Sequence, residues 1–240
     1  MEILNQAIFI ADAHENEERR GFWEFLQALK KREILTPQLF LMGDIFDLLV
    51  AEISATHSFA KPYIELLEEL AEEIEIFYFE GNHDFNLSVF FNKVKVFNIK
   101  KQPLVLHISK DKKCEFYLAH GDIFLNPFLE FALGLLRNHY LLCFLNALNF
   151  ISFNAISKNI LKKQKQKKIF VKMENFEFLA RKRYEKFEAK GAWVVEGHYH
   201  QNFFLNEQNI KYFNLASFAY EKSFFVVEFG QEIKFLQCKL

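Results

Sequence analysis

The chain has 240 residues, enough for one large domain or one domain with an insertion, and 51% hydrophobic content with 31 phenylalanines supplies ample core. Lys and Arg number 30 against 31 Asp and Glu, so the overall charge gives no reason to expect a nucleic-acid partner. Cys114, Cys143 and Cys238 are far apart and form no CxxC, which argues against a disulfide framework or zinc knuckle and fits a reducing compartment.

The N-terminal stretch MEILNQAIFIADAHENEE has no basic region followed by a long apolar one; no signal peptide is expected, and the protein reads as cytoplasmic. Within it AIFIAD (7–12) is a short apolar run that stops at a carboxylate. NEERRGFWEFLQALKKRE (16–33) then places Phe22, Phe25, Leu26 and Leu29 at helical spacing. QLFLMGD (38–44) is a second apolar run ending at a carboxylate, FAKPYIELLEELAEE (59–73) is again helical, and IEIFYFEGNHD is a third run with a polar end. Strand, helix, strand, helix, strand predicts a largely parallel βαβ layer. KCEFYLAHGD (113–122) and AWVVEGHYH (192–200) repeat the apolar run ending in glycine and histidine. The last third alternates in short strands, NFFLN, IKYFNLA, SFFVVEFG and IKFLQCKL, read as antiparallel strands closing a second sheet, for a layered α/β sandwich with helices outside.

Residues 125–190 do not fit this layering. No strand is evident there, and Asn138 to Ser157 contains no charged residue, although its Asn, Ser and His make it too polar for a comfortable membrane span. KNILKKQKQKK (158–168) follows with six lysines and no acid. The segment is expected to be a helical insertion over one end of the sheet, with Cys143 buried as a small hydrophobe.

Five apolar runs end in DAH (12–14), GDIFD (43–47), GNHD (81–84), HGD (120–122) and GHYH (197–200). Open α/β sheets bind ligands beyond the carboxyl ends of their strands. Carboxylate, imidazole and amide oxygen without thiolate suit hard-to-borderline divalent cations. In DAH and GHYH the two groups are separated by one residue, which puts both on one side of an extended backbone.

The order and spacing resemble the calcineurin-like metallophosphoesterases, whose pattern runs DxH, GDxxD, GNH(D/E), a lone His, then GHxH; every piece is present in that order from Asp12 to His200. The resemblance implies a four-layer α/β/β/α sandwich with a helical cap, the core divided between 1–124 and 191–240 and the cap spanning 125–190. It further implies that Asp12, His14 and His200 hold one divalent ion, that Asn82, His120 and His198 hold a second, and that Asp44 bridges them. Manganese is expected, with magnesium as an alternative. Two such ions roughly 3.5–4 Å apart can clamp phosphoryl oxygens and lower the pKa of a bridging water. His83 would serve as proton donor at the leaving oxygen, oriented by a carboxylate–imidazole bond from Asp47, while Asp84 ties its loop together. Asp122 is read as a turn former, and Glu196 either supports a histidine ligand or lies in solvent.

IFIADAHE, GDIFDLL, the helical segment after HGD and NLASFAYEKSFFVVEF resemble the UDP-2,3-diacylglucosamine hydrolases, which cut a pyrophosphate in lipid A biosynthesis to UMP and 2,3-diacylglucosamine 1-phosphate. That resemblance implies an acylated sugar-nucleotide substrate, contacts to it from Asn82, His83, Asn126, Lys162, Lys163, Lys167 and His198, and a peripheral position on the cytoplasmic face of the inner membrane through the cap. Phe144, Leu145, Leu148, Ile151 and Phe153 would supply its apolar groove. The commonest pattern of those enzymes has arginine at the position of His83 and glutamate at that of Asp47, so this chain departs from it there. A soluble phosphodiesterase acting on nucleotides, or a hydrolase of another membrane-linked phosphoester, is the alternative within hydrolases, and a catalytically silent partner-binding module the alternative outside them; no protein partner is expected.

Overall fold

The apolar runs become strands because they are buried on both faces. β2 (Ile8–Ile10), β3 (Gln38–Leu41), β5 (Glu75–Phe79) and β10 (Trp193–Glu196) are buried almost throughout, as parallel strands are when one face meets a second layer and the other meets helices. A computed structural model describes residues 1–108 and 114–240 in full and the backbone of 111–113. Its remaining elements, in chain order, are β1 (Glu2–Ile3), α1 (Gly21–Lys30), β4 (Leu49–Val50), α2 (His57–Leu70), β6 (Asp84–Phe85), β7 (Lys95–Phe97), β8 (Leu104–Ile108), β9 (Asp111–Ala119), α3 (Pro127–Leu136), α4 (His139–Ile151), α5 (Ala155–Gln166), α6 (Phe176–Phe187), β11 (Gln201–Asn206), β12 (Lys211–Ala216), α7 (Phe218–Glu221), β13 (Ser223–Phe229) and β14 (Ile233–Lys239).

Two six-stranded sheets result, ordered β1-β8-β9-β10-β12-β11 and β14-β13-β2-β3-β5-β7. Phe9, Phe40, Phe77, Phe116, Val195 and Phe213 pack between them. Phe9, Phe40 and Phe77 stack on one another across three adjacent strands, with centroids 4.5 and 4.6 Å apart, each such pair worth about 0.5–1.5 kcal/mol beyond its burial. On the far side of the second sheet α1 and α2 bury Phe22, Phe25, Tyr63 and Leu67. On the far side of the first, α6 buries Phe176, Ala180, Tyr184 and Phe187 against Val194 and Tyr212. The architecture is therefore the α/β/β/α sandwich.

Three expectations change. The C-terminal strands do not close one sheet: β11 and β12 join the first through the parallel pair β10–β12, and β13 and β14 join the second through β2. α6 is not part of a projecting cap, because its apolar stripe packs on the sheet as the fourth layer; the helices that stand off the core are α3, α4 and α5. Cys143 is exposed rather than buried, its sulfur 3.7 Å from His139 Nε2.

Candidate metal centre

The turns after β2 and β3 are sewn together by backbone bonds. Asp12 N donates to Gly43 O at 3.0 Å, His14 N to Asp44 O at 3.0 Å, and Asp47 N to Glu15 O at 3.2 Å. Ser217 Oγ, just after β12, donates to Asp12 O at 2.9 Å. Asp84 braces the neighbouring loop: Oδ1 accepts Asp44 N (2.9 Å) and Gly81 N (3.0 Å), and Oδ2 accepts Ile45 N (2.6 Å) and Tyr78 OH (2.6 Å). The crowding requires Gly81, where a Cβ would collide with the Asp44 carboxylate, and Gly197, where it would lie 2.7 Å from Asp12 Oδ2. Asp12, His14, Asp44, His198 and His200 all take left-handed backbone, with φ between 43° and 66°, a conformation that costs non-glycine residues energy and gathers at functional sites.

These turns bring the candidate residues together. Asp12, His14 and His200 place ligand atoms within 4.8 Å of one another; so do Asp44, His120 and His198, and so do His14, Asp44 and His83. Asp44 stands at the junction, with Oδ2 at 3.4 Å from His120 Nε2 and 3.9 Å from His83 Nε2. The histidines are aimed by backbone carbonyls: His120 Nδ1 donates to Met42 O (2.8 Å), His200 Nδ1 to Ile169 O (2.6 Å) and His83 Nδ1 to Asp47 O (2.9 Å). A carbonyl only accepts, so in each neutral ring Nδ1 carries the proton and Nε2 offers its lone pair to the cleft.

Burial pushes the Asp12 and Asp44 carboxyls up, but His200 beside Asp12, and His120 and His83 beside Asp44, outweigh it and hold both below the usual range, Asp44 well below. Burial and the neighbouring His120 bring His198 down to about 4. For His120 burial is outweighed by Asp44, which holds the imidazole well above its usual range. A cation bound here would displace that proton and take over the balancing of Asp44.

The donor set fits divalent cations. Among the described residues Asp12 Oδ1, Asn82 Oδ1 and His120 Nε2 are buried with no hydrogen-bond partner, although Asp12 Oδ1 lies 3.0 Å from His200 Nε2 and His120 Nε2 3.4 Å from Asp44 Oδ2. Orphaned ligand atoms converging on one cleft are expensive unless an ion completes them, and an all-oxygen-and-imidazole set with no thiolate selects hard-to-borderline metals.

One expected contact is corrected. The Asp47 carboxylate does not orient His83; its backbone carbonyl does. The carboxylate is taken by Arg19 Nη2 (2.7 Å to each oxygen) and Asn16 Nδ2 (2.5 Å), and lies 3.5 Å from His14 Nδ1. Asp47 thus supports a first-set histidine. Arg19 was not legible as a partner because nothing in NEERRGF distinguishes it from a solvated helix-entry cation. Asp122 is more than a turn former, since Arg137 pairs with it at 2.6 Å. Glu196 is fully buried against Arg183 and accepts Tyr212 OH at 2.9 Å, so neither of its expected roles holds. Of the cap positions, Asn126 uses Oδ1 to cap α3 at Leu129 N (2.9 Å), whereas Lys162 lines a cavity of about 560 Å³ between α5 and the loops around Asn16 and Ala55.

A two-sheet sandwich with histidines and aspartates gathered at its strand ends, and one aspartate shared between two sets, defines the class as a metal-dependent phosphoester hydrolase. The chain belongs to the calcineurin-like phosphoesterase family, whose sequence profile matches residues 6–212. A curated relative, the UDP-2,3-diacylglucosamine hydrolase of Coxiella burnetii, is 26% identical over 120 residues, 50% of this chain and 48% of that protein, so the match spans about half of each. Similar solved structures include the phosphoesterase Yfce of E. coli (14% identity, TM-score 0.45, covering 97% of each chain). A conserved protein of Streptococcus pneumoniae described as a predicted phosphoesterase is similar at 16% identity and TM-score 0.40, covering 96% of this chain and 87% of that one. Similarity at that level bears on neither substrate nor residue roles.

Proposed function

We propose that the protein hydrolyses the pyrophosphate of UDP-2,3-diacylglucosamine to UMP and 2,3-diacylglucosamine 1-phosphate, with Asp12, His14 and His200 holding one divalent ion, Asn82, His120 and His198 a second, and Asp44 serving both. The observation that carries the hydrolytic part is that Asp44 gathers its ligand atoms both with His120 and His198 and with His14 of the other set. Two cations there, manganese in the first instance, would polarise the phosphoryl oxygens and activate water for in-line attack. His83 meets the cleft through Nε2, because Nδ1 is committed to Asp47 O; protonated at Nε2, it donates to the oxygen that leaves phosphorus.

The cap supports the acylated substrate. Phe128, Phe131, Tyr140, Phe150, Ile151 and Phe153 on α3, α4 and the turn after α4 are each at least 70% exposed. The cavity beside Asn16 is lined by the apolar Leu48, Ala55, Phe59 and Leu161 and by Lys158 and Lys162, with Lys165 paired to Glu17 and Glu18 at its edge. Apolar lining beside Lys162, unpaired among the described residues, suits an acyl chain attached to a phosphorylated head. Among the described residues no single helix is long and apolar enough to cross a membrane, while α3 and α4, bent by 59°, pass such a test only together. This arrangement supports contact with a bilayer surface, where each buried phenylalanine contributes about 1.5–3 kcal/mol and each nearby lysine about 1 kcal/mol on an anionic leaflet. The reading is tested by comparing UDP-2,3-diacylglucosamine with the unacylated UDP-glucosamine. Cleavage of the first and neglect of the second is the expected result; equal rates would reject the role of the acyl chains.

Lys162, Lys163 and Lys167 have no ion-pair partner among the described residues, whereas Lys165 is held by Glu17 at 2.7 Å and Glu18 at 3.6 Å. Replacing Lys162, Lys163, Lys165 and Lys167 with Ser is expected to weaken binding to anionic vesicles by about a hundredfold at low salt, from three free lysines at about 1 kcal/mol each. Turnover of a small aryl phosphodiester should be unchanged. Vesicle co-sedimentation checks this, and undiminished binding would leave the lysines as a solvated face.

A further inference from the structure

We propose that Arg137, at the end of α3 in the cap, is a positioning residue of the metal centre that clamps together the loops carrying Asn82 and His120. The inference rests on the two-ion reading above. Its Nη2 donates to Asp122 Oδ2 at 2.6 Å and to Gly81 O at 3.0 Å. Asp122 stands two residues after His120, and Gly81 immediately precedes Asn82. One guanidinium therefore joins the turn after β5 to the turn after β9, and these two turns hold Asn82 Oδ1 and His120 Nε2, both buried and without hydrogen bonds among the described residues.

The clamp is built rather than incidental. The Arg137 side chain is 10% exposed and that of Asp122 is wholly buried. Among the described residues Asp122 has no other ion-pair partner, so Arg137 supplies the compensation that a buried carboxylate needs. The cap backbone is held at the same point, with Asn86 Nδ2 donating to Arg137 O at 3.2 Å, and the guanidinium carbon lies 5.5 Å from the Phe85 ring centroid. Among the described residues no corresponding contact joins Arg137 to the Asp12, His14 and His200 set, so its removal should affect one ion and spare the other. Groups that hold metal ligands in place typically account for 10–100-fold in metal affinity.

The test compares the wild type with R137K and with R137M/D122N, which removes the pair without leaving a buried charge. Each manganese-loaded protein is titrated with a chelator of known affinity, and retained metal is counted by elemental analysis. The wild type should hold two equivalents. R137M/D122N should release one of them at about 10–100-fold lower chelator activity while retaining the other, and R137K, with a single-point cation, should fall between. kcat for an aryl phosphodiester should drop with little change in KM. Wild-type retention of both ions in folded R137M/D122N would overturn the proposal while leaving the two-ion reading intact. Fewer than two equivalents in the wild type would overturn that reading and the proposal with it. Should the double variant not fold, R137K decides alone: unchanged release of both ions rejects the clamp.

Discussion

Asp44→Ala should abolish hydrolysis and release both ions, the largest effect expected of any single substitution. Asp44 is buried, belongs to two of the three groups of candidate ligand atoms, and lies within 3.9 Å of His83 Nε2 and 3.4 Å of His120 Nε2. Its other oxygen accepts His83 N at 2.9 Å, so the side chain also fixes the GNHD turn. Removing it leaves His120 and His83 without the carboxylate that balances them and takes one ligand from each ion. Activity should fall by at least about a thousandfold, with less than one equivalent of metal retained after desalting. Two retained equivalents would show that Asp44 does not bridge. Asp44→Asn separates charge from shape, keeping an oxygen toward the cleft but losing the negative charge, and should retain metal only at high concentration.

The second large effect is expected at His83. His83→Ala should lower kcat by about 10²–10⁴ for a substrate with a poor leaving group while retaining both ions. For an aryl ester, whose leaving group needs no proton, the loss should be much smaller. Comparable losses on both esters would assign His83 to metal or phosphate binding instead. Because the Asp47 carbonyl, not its carboxylate, orients His83, Asp47→Asn should spare the leaving-group dependence. It should act instead through His14 and Arg19, which the carboxylate contacts, and therefore appear as weakened metal retention.

The residues that gather at the centre were legible because each closes a buried strand or its turn, and a run such as IFIAD or EIFYF announces both the strand and its end. Two sheets with outer helices followed from the same alternation. Backbone partners were not legible: Met42 O, Asp47 O and Ile169 O aim three histidines, and a carbonyl carries no trace of residue type. The left-handed backbone at Asp12, His14 and Asp44 was hidden as well, since only the neighbouring glycines mark where the chain is crowded. The strand pairing of the C-terminus failed for another reason: local alternation fixes which face of a strand is apolar, but not which sheet it joins. Cys143 failed because apolar composition in the cap does not mean burial, and much of that surface is exposed. Arg137 and Arg19 resembled ordinary helix-end cations, and only the fold shows them turned inward.

The most direct test of the account is product analysis by phosphorus NMR after incubating the purified protein with manganese and UDP-2,3-diacylglucosamine in ¹⁸O-labelled water. The account predicts UMP and 2,3-diacylglucosamine 1-phosphate in equal amounts, with one labelled oxygen on one of the two phosphates, and no products when a chelator is present. An intact pyrophosphate under conditions where the same protein turns over a soluble nucleotide phosphodiester would contradict it.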